Sequence, residues 1–292
     1  MPISPSSKKI IGITIGDPGG IGPEVIIKSL QTPSLQRHLA RQASSNVFFV
    51  CIGSLSVLEK NIMMTKSSLP LNLIPSIESD RLRSDALNVV EVGEGERYEI
   101  AAIAGPNARL ALDAVEKGAL LAKDKKINAL VTAPINKEAC QLLRPGFTGH
   151  TEFLAAIDGT RSFAMMLCGK MLRVVLVTTH VPLAAVAQKI TKGAIVEKII
   201  LVNDYLRDRI KIASPRIGVA GLNPHAGEGG KIGREEIEHI IPAIEETLKM
   251  NINVTGPYPP DVIFHKAYNE QLDAVVAMYH DQGLAPLKMI AF

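Results

Sequence analysis

A chain of 292 residues is longer than one small core requires and fits about two domains of ordinary size. Its 47% hydrophobic and 21% charged residues allow substantial cores. A net charge of only +3, dispersed Lys and Arg, 4% aromatic residues and no Trp argue against a nucleic-acid surface. The three cysteines, Cys51, Cys140 and Cys168, are far apart and form no CxxC pair, which fits a reducing compartment. Asp17 interrupts the first apolar run too early for a signal peptide, and no apolar run reaches about 18 residues. A soluble cytoplasmic protein is expected.

In chain order, Lys9–Gly16 reads as a buried strand, followed at once by GDPGGIGPE (Gly16–Glu24) and the helix-forming EVIIKSL, with Pro23 in the first helical turn. A glycine loop in this place either presents backbone N–H groups to an anion or is simply a tight turn. No Lys-Ser/Thr follows it, as a Walker loop requires, and Val25 occupies the third glycine position of the dinucleotide fingerprint. Asn46–Gly53 is a second strand. Residues 54–105 are mixed in polarity, with turn signals that include Glu94-Gly95, and say little about function. Ala108–Ala122 has helical spacing. Ile127–Thr132 is a strand leading to Lys137, whose ammonium either meets a phosphate or carboxylate or starts the next helix in solvent. In PGFTGHTEFLA (Pro145–Ala155), Thr148 or Thr151 is expected to cap a helix. His150 falls in the loop or first turn, a position suited to an anionic substrate.

Ser162–Cys168 and Leu172–Thr179 read as paired strands about Gly169-Lys170, and VPLAAVAQKI as the helix after His180. Lys192–Ile212 is a long amphipathic helix. Ile217–Leu222 is a strand entering the glycine-rich Asn223–Gly230, which opens a long helix through Ile237 and Ile244. Asp261 is expected in a loop after Pro259-Pro260. Leu272–Met278 is a strand, and the residues closing at Phe292 also read as strand. Strands and helices alternating in this way predict a parallel-rich α/β fold.

Three of these strands share one grammar. RVVLVTTH, RIGVAGLNPH and AVVAMYH each deliver one histidine where the strand should stop: His180, His225 and His280. In open α/β sheets ligands bind beyond the carboxyl ends of strands. A lone histidine is more often a structural residue, but three at equivalent positions form a candidate divalent-metal site with open coordination positions. Asp281 and Asp261 are candidates for orienting a ligand or moving a proton. His38, His239 and His265 lack such settings and read as surface residues.

GDPGGIGPE, TAPINK, FTGHTEF, VTTHVPL, LNPHAGEGG, GPYPPD and AMYHDQGLAPLK, in this order from Gly16 to Lys288, resemble the 4-hydroxythreonine-4-phosphate dehydrogenase family of vitamin B6 biosynthesis. The resemblance implies two α/β/α domains with an interdomain cleft, like the isocitrate and isopropylmalate dehydrogenases, in a homodimer with a shared active site. On this chain the domains are expected at 1–137 and 138–292, the first completed in the family by a C-terminal tail. It also implies that His180, His225 and His280 match ligands of one divalent ion (Zn, Co or Mg) contributed across the dimer interface, and that His150, Thr151 and Lys288 match substrate-binding positions. The cofactor implied is NAD or NADP, bound without the usual fingerprint, at positions left open here. The implied reaction oxidises 4-phosphohydroxy-L-threonine to a β-keto acid that decarboxylates to 3-amino-2-oxopropyl phosphate, in pyridoxal 5'-phosphate biosynthesis. Lys288 and His150, both able to carry positive charge, would anchor the anionic ends, and Asp261 or Asp281 would take the proton. A dehydrogenase for 4-phosphorylated threonate or erythronate fits the same motifs. The family pattern runs several tens of residues beyond LPLK, so an inactive metal-binding fragment is a further expectation. A zinc hydrolase is the reading from another class, although no HExxH is present.

Overall fold

The computed structural model of the chain describes residues 8–41, 47–93, 97–169 and 171–291. Glu94-Gly95, Lys170 and the side chain of His38 lie outside the described residues. The chain divides into two units, 1–161 and 162–292, each built on a five-stranded sheet.

The first unit runs β1 (Lys9–Thr14), α1 (Gly22–Leu30), α2 (Pro33–Arg41), β2 (Val47–Gly53), α3 (Leu55–Thr65), β3 (Leu71–Leu73), β4 (Leu87–Glu91), α4 (Gly105–Lys123), β5 (Ala129–Thr132), α5 (Lys137–Leu143) and α6 (His150–Asp158). Its strands are all parallel, in the order β3-β4-β2-β1-β5. Helix α4 is apolar on two faces. Leu110 and Ala114 join the sheet core, while Ala108, Leu112 and Val115 pack with Cys140, Phe147 and Phe153 of the α5–α6 region. The second face needs α5 and α6 to exclude water from it. For that reason the unit extends to 161 and not to the 137/138 boundary expected from sequence.

The second unit runs β6 (Met166–Cys168), β7 (Arg173–Leu176), α7 (Val186–Lys189), α8 (Lys192–Asp208), β8 (Ile217–Ala220), α9 (Ile241–Lys249), β9 (Val254–Tyr258), α10 (Pro260–Tyr268), β10 (Ala274–Ala277) and α11 (His280–Ala291). The order is β6-β7-β10-β8-β9, with β6 antiparallel and the rest parallel. The last strand, β10, is therefore central. Ala274, Val276 and Met278 enter one core cluster, and Val275 and Ala277 enter the other. Burial on both faces is why this strand is a continuous apolar run, as parallel strands between helix layers generally are.

Several local expectations change. VPLAAVAQKI forms a short 3₁₀ turn at Leu183–Ala185 and then only α7. A π-helical turn, Glu236–Ile240, precedes α9, next to Pro242, which has no backbone N–H to donate. Pro260 opens a helix, so Asp261 lies in the first turn of α10 and not in a loop. The closing residues are helix, not strand: Leu284 and Leu287, one helical turn apart, bury into the core beside Leu176 and Ala277. Gly283 permits this, because a Cβ there would lie 2.8 Å from both Leu176 and Val174. No helix among the described residues is long and apolar enough to cross a membrane.

Candidate functional site

Because β7, β10 and β8 are parallel neighbours, their carboxyl ends share one edge of the second sheet. Hydrogen bonding continues past β7: Val177 N donates to Ala277 O (2.9 Å) and Thr178 N to Met278 O (3.1 Å). The buried Thr178 hydroxyl donates to the same carbonyl at 2.8 Å. These bonds carry His180 alongside His280, with ring centroids 5.7 Å apart and planes tilted by 45°. His280 Nδ1 lies 3.1 Å from Asp281 Oδ1. A carboxylate in this place orients an imidazole and leaves Nε2 free for a metal. Two imidazoles on one tetrahedral ion, with metal–nitrogen distances of about 2.0–2.1 Å, have centroids roughly 5 Å apart. The spacing of this pair is near that value. His225 does not join it: among the described residues no three His, Cys, Asp or Glu side chains are grouped to hold a metal.

His225 is exposed on a left-handed turn. His225, Ala226 and Glu228 have φ of 51°, 54° and 44°, a region non-glycine residues rarely adopt. Such strain persists only where surrounding structure enforces it. Here the enforcing group is Glu236, 2% exposed, whose Oε1 accepts from Leu222 N and Asn223 N, both at 2.8 Å. Its Oε2 accepts from Asn223 Nδ2 at 2.9 Å, while Glu235 accepts from the same amide at 2.7 Å. That amide holds the Glu235 carboxyl below the usual carboxylate range. Gly227 (φ 78°) must be glycine, since a Cβ would lie 2.6 Å from Glu236 Oε2.

Asp261 and Tyr279 line a cavity of about 650 Å³ between α10 and α11, walled by Phe264, Tyr268, Met289 and Ile290. His265, expected at the surface, is exposed and also lines this cavity. Lys288 is exposed in the last turn of α11.

In the first unit, His150 and Thr151 open α6. Its N-cap is Gly149, with no side-chain cap, so neither Thr148 nor Thr151 plays the expected part. Burial, and then the Lys137 ammonium, push the His150 pKa below that of a free imidazole. Both effects disfavour the charged ring and so work against a cationic anchor at His150. Its Nε2 is buried without a hydrogen-bond partner among the described residues. Lys137 is the nearby cation, with its Nζ beside Gly149.

The glycine loop after β1 closes on itself. The Asp17 carboxylate accepts from Gly19 N (3.0 Å) and Asn107 Nδ2 (3.1 Å), and Gly20 N donates to Asp17 O (3.1 Å). The anion held by these amides is the protein's own. Buried thiols offer no nucleophile: burial pushes Cys51 up to about 12 and Cys140 up to about 11.

The family model described as "Pyridoxal phosphate biosynthetic protein PdxA" matches residues 45–292, most of the chain. The chain belongs to this family. It is 38% identical over 294 residues to a 4-hydroxythreonine-4-phosphate dehydrogenase of Desulforapulum autotrophicum, covering 98% of this chain and 82% of the relative. It is 41% identical over 286 residues to a D-threonate 4-phosphate dehydrogenase of Cupriavidus necator, covering 96% and 82%. The crystal structure of 4-hydroxythreonine-4-phosphate dehydrogenase from Klebsiella pneumoniae superposes with a TM-score of 0.87 at 35% identity, over 98% of this chain and 86% of that one. As a PdxA-family chain its α/β architecture agrees with that expected from the motifs. Sequence reasoning singled out Lys137 as a cation for a phosphate or carboxylate, but missed Glu236 and Asn223 as supports of the His225 turn. A glutamate on a helix of alternating polarity reads as solvated, and only the folded loop shows what it holds.

Proposed function

We propose that this chain is a metal-dependent, NAD(P)-linked dehydrogenase that oxidises 4-phosphohydroxy-L-threonine to the β-keto acid that decarboxylates to 3-amino-2-oxopropyl phosphate. The observation that carries the reading is the His180–His280 pair at the carboxyl edge of the second sheet, in a PdxA-family chain. His180, His225 and His280 would hold one divalent ion, with ligands shared across a homodimer. That arrangement accounts for a single chain bringing only two of them together. The bound ion would supply Lewis acidity at the substrate hydroxyl, while the nicotinamide accepts the hydride.

The chain's own residues would do the rest. Asp281 orients the His280 ring through its hydrogen bond. With Asp281 so engaged, Asp261, which faces the cavity beside Tyr279, takes the hydroxyl proton. His150 hydrogen-bonds the substrate through its unpartnered Nε2, next to Thr151. Lys288 and Lys137 supply the positive charge for phosphate and carboxylate.

D-Threonate 4-phosphate is a second substrate candidate, because relatives of both names are about equally similar to this chain. Initial rates of NAD and NADP reduction with each substrate, with and without a chelator, test the reading. Faster turnover of phosphohydroxythreonine, abolished by chelation, is expected. Reduction with neither substrate would remove the dehydrogenase assignment, and a rate indifferent to chelation would remove the metal.

A further inference from the structure

We propose that Gln282 is a positioning residue that fixes the ends of β10 and β8, and with them the chain segments presenting His280 and His225. Its side chain is 7% exposed. Oε1 accepts from Met278 N at 2.6 Å, and Nε2 donates to Gly221 O at 2.7 Å. Met278 is the first residue beyond β10, and Gly221 the first beyond β8. The register between these strands runs from Ala274↔Ile217 to Val276↔Val219 and stops there. Past that point the two backbones part, one toward His280 and the other toward the left-handed turn of His225. Without Gln282, Met278 N–H and Gly221 C=O would be buried without partners, which is costly for any backbone group.

Gln282 inserts its amide between them and acts as one more rung of the ladder. The glutamine amide carries a donor and an acceptor in one group that stays neutral at any pH. The Met278 carbonyl is held from the other side by the Thr178 N–H and hydroxyl. Both backbone groups of Met278, two residues before His280, are therefore pinned. Packing alone would be served by leucine; a polar group in this position sets where the neighbouring strand ends lie.

The inference rests on the metal reading proposed above, and its test separates the two. Gln282→Leu removes both bonds at similar volume. Gln282→Met also removes both bonds, with an unbranched and adaptable side chain, which covers the case in which the leucine variant does not fold. Thr247→Val is the stability control: it removes a buried hydroxyl bonded within its own helix, at 3.0 Å to Ala243 O and to Ile244 O. Co(II) titration of the full chain, by calorimetry and by visible absorption well below unfolding, is the readout. Both Gln282 variants should weaken Co(II) binding by about tenfold, the lower end of what losing a supporting partner costs a metal site. Both should also alter the Co(II) spectrum, while Thr247→Val keeps wild-type affinity and spectrum. Wild-type Co(II) binding in a folded Gln282 variant, or an equal loss in Thr247→Val, would overturn the inference. His180→Ala is titrated in parallel. If it loses Co(II) while the Gln282 variants do not, only this inference falls; if it keeps Co(II), the metal reading falls and takes the inference with it.

Discussion

The strand ends of the two units handle their polar atoms in opposite ways. Beyond β1, the glycine loop satisfies itself: Asp17 accepts from Gly19 and Asn107, and Asn107 also bonds both the N–H and the C=O of Glu99. Beyond β10 and β8, buried groups such as Gln282 and Glu236 satisfy the backbone, and imidazoles are left presented. The first edge closes on its own polar atoms, and the second leaves exposed or half-exposed imidazoles at its rim. The contrast teaches that glycine density is a poor sign of ligand binding. A buried polar atom without a partner among the described residues is a separate signal, found at His150 Nε2 and also at Thr14 Oγ1 inside β1.

The largest effect is expected from breaking the open edge at its imidazoles. His180→Ala or His280→Ala should lower turnover by at least about 100-fold and reduce bound metal, read by NAD reduction and metal analysis, because ligands matter at least as much as their supporting partners. A variant with wild-type turnover would contradict the placement of the site.

Glu236→Ala should cost about 2–4 kcal/mol in urea unfolding, since it leaves Leu222 N and Asn223 N without their acceptor, while the Asn223 amide keeps Glu235. It should also weaken metal binding through His225. Asn107→Ala, the matching cut at the closed edge, should cost about 1–3 kcal/mol and leave metal affinity unchanged. If both variants lowered metal affinity equally, the contrast between the edges would fail.

Smaller effects follow from pH. The folded-state pKa of His150 lies below the ordinary value of about 6.5. The unfolded chain therefore binds more protons between those two values, and His150 costs stability progressively as pH falls from about 6.5 to its folded pKa. His150→Gln should flatten the dependence of the urea midpoint on pH below about 6.5. Asp273 has the opposite pattern. The Arg216 guanidinium, bonded to both its oxygens, holds its carboxyl low. The stability it adds is complete above the ordinary aspartate pKa of about 3.9 and is lost as pH falls through the lowered value. Asp273→Asn should soften acid unfolding in that range, by an amount limited by the solvent exposure of Arg216.

Much of the molecule was legible in its residues. Period-two and all-apolar runs marked β1, β2, β7, β8 and β10, and the ordered motifs pointed to the family. They also placed His180, His225 and His280 just past strand ends, because a strand's length and its stop are local properties. Local signals misled where a residue's role depended on what it met in space. Pro260 could start a helix or a loop, and LAPLKMIA could pair as a strand or pack as a helix; burial of Leu284 and Leu287 decided the second. His150 carried nothing in its neighbours along the chain to say that its pKa would be pushed down, since desolvation belongs to the fold. Sequence by itself determined the elements, the chemistry-bearing residues and the kind of fold. Tertiary structure alone decided that the last strand inserts between β7 and β8, which sets His280 beside His180. Strand order is a matter of non-local pairing and of which faces must be buried, and no stretch of chain encodes it alone.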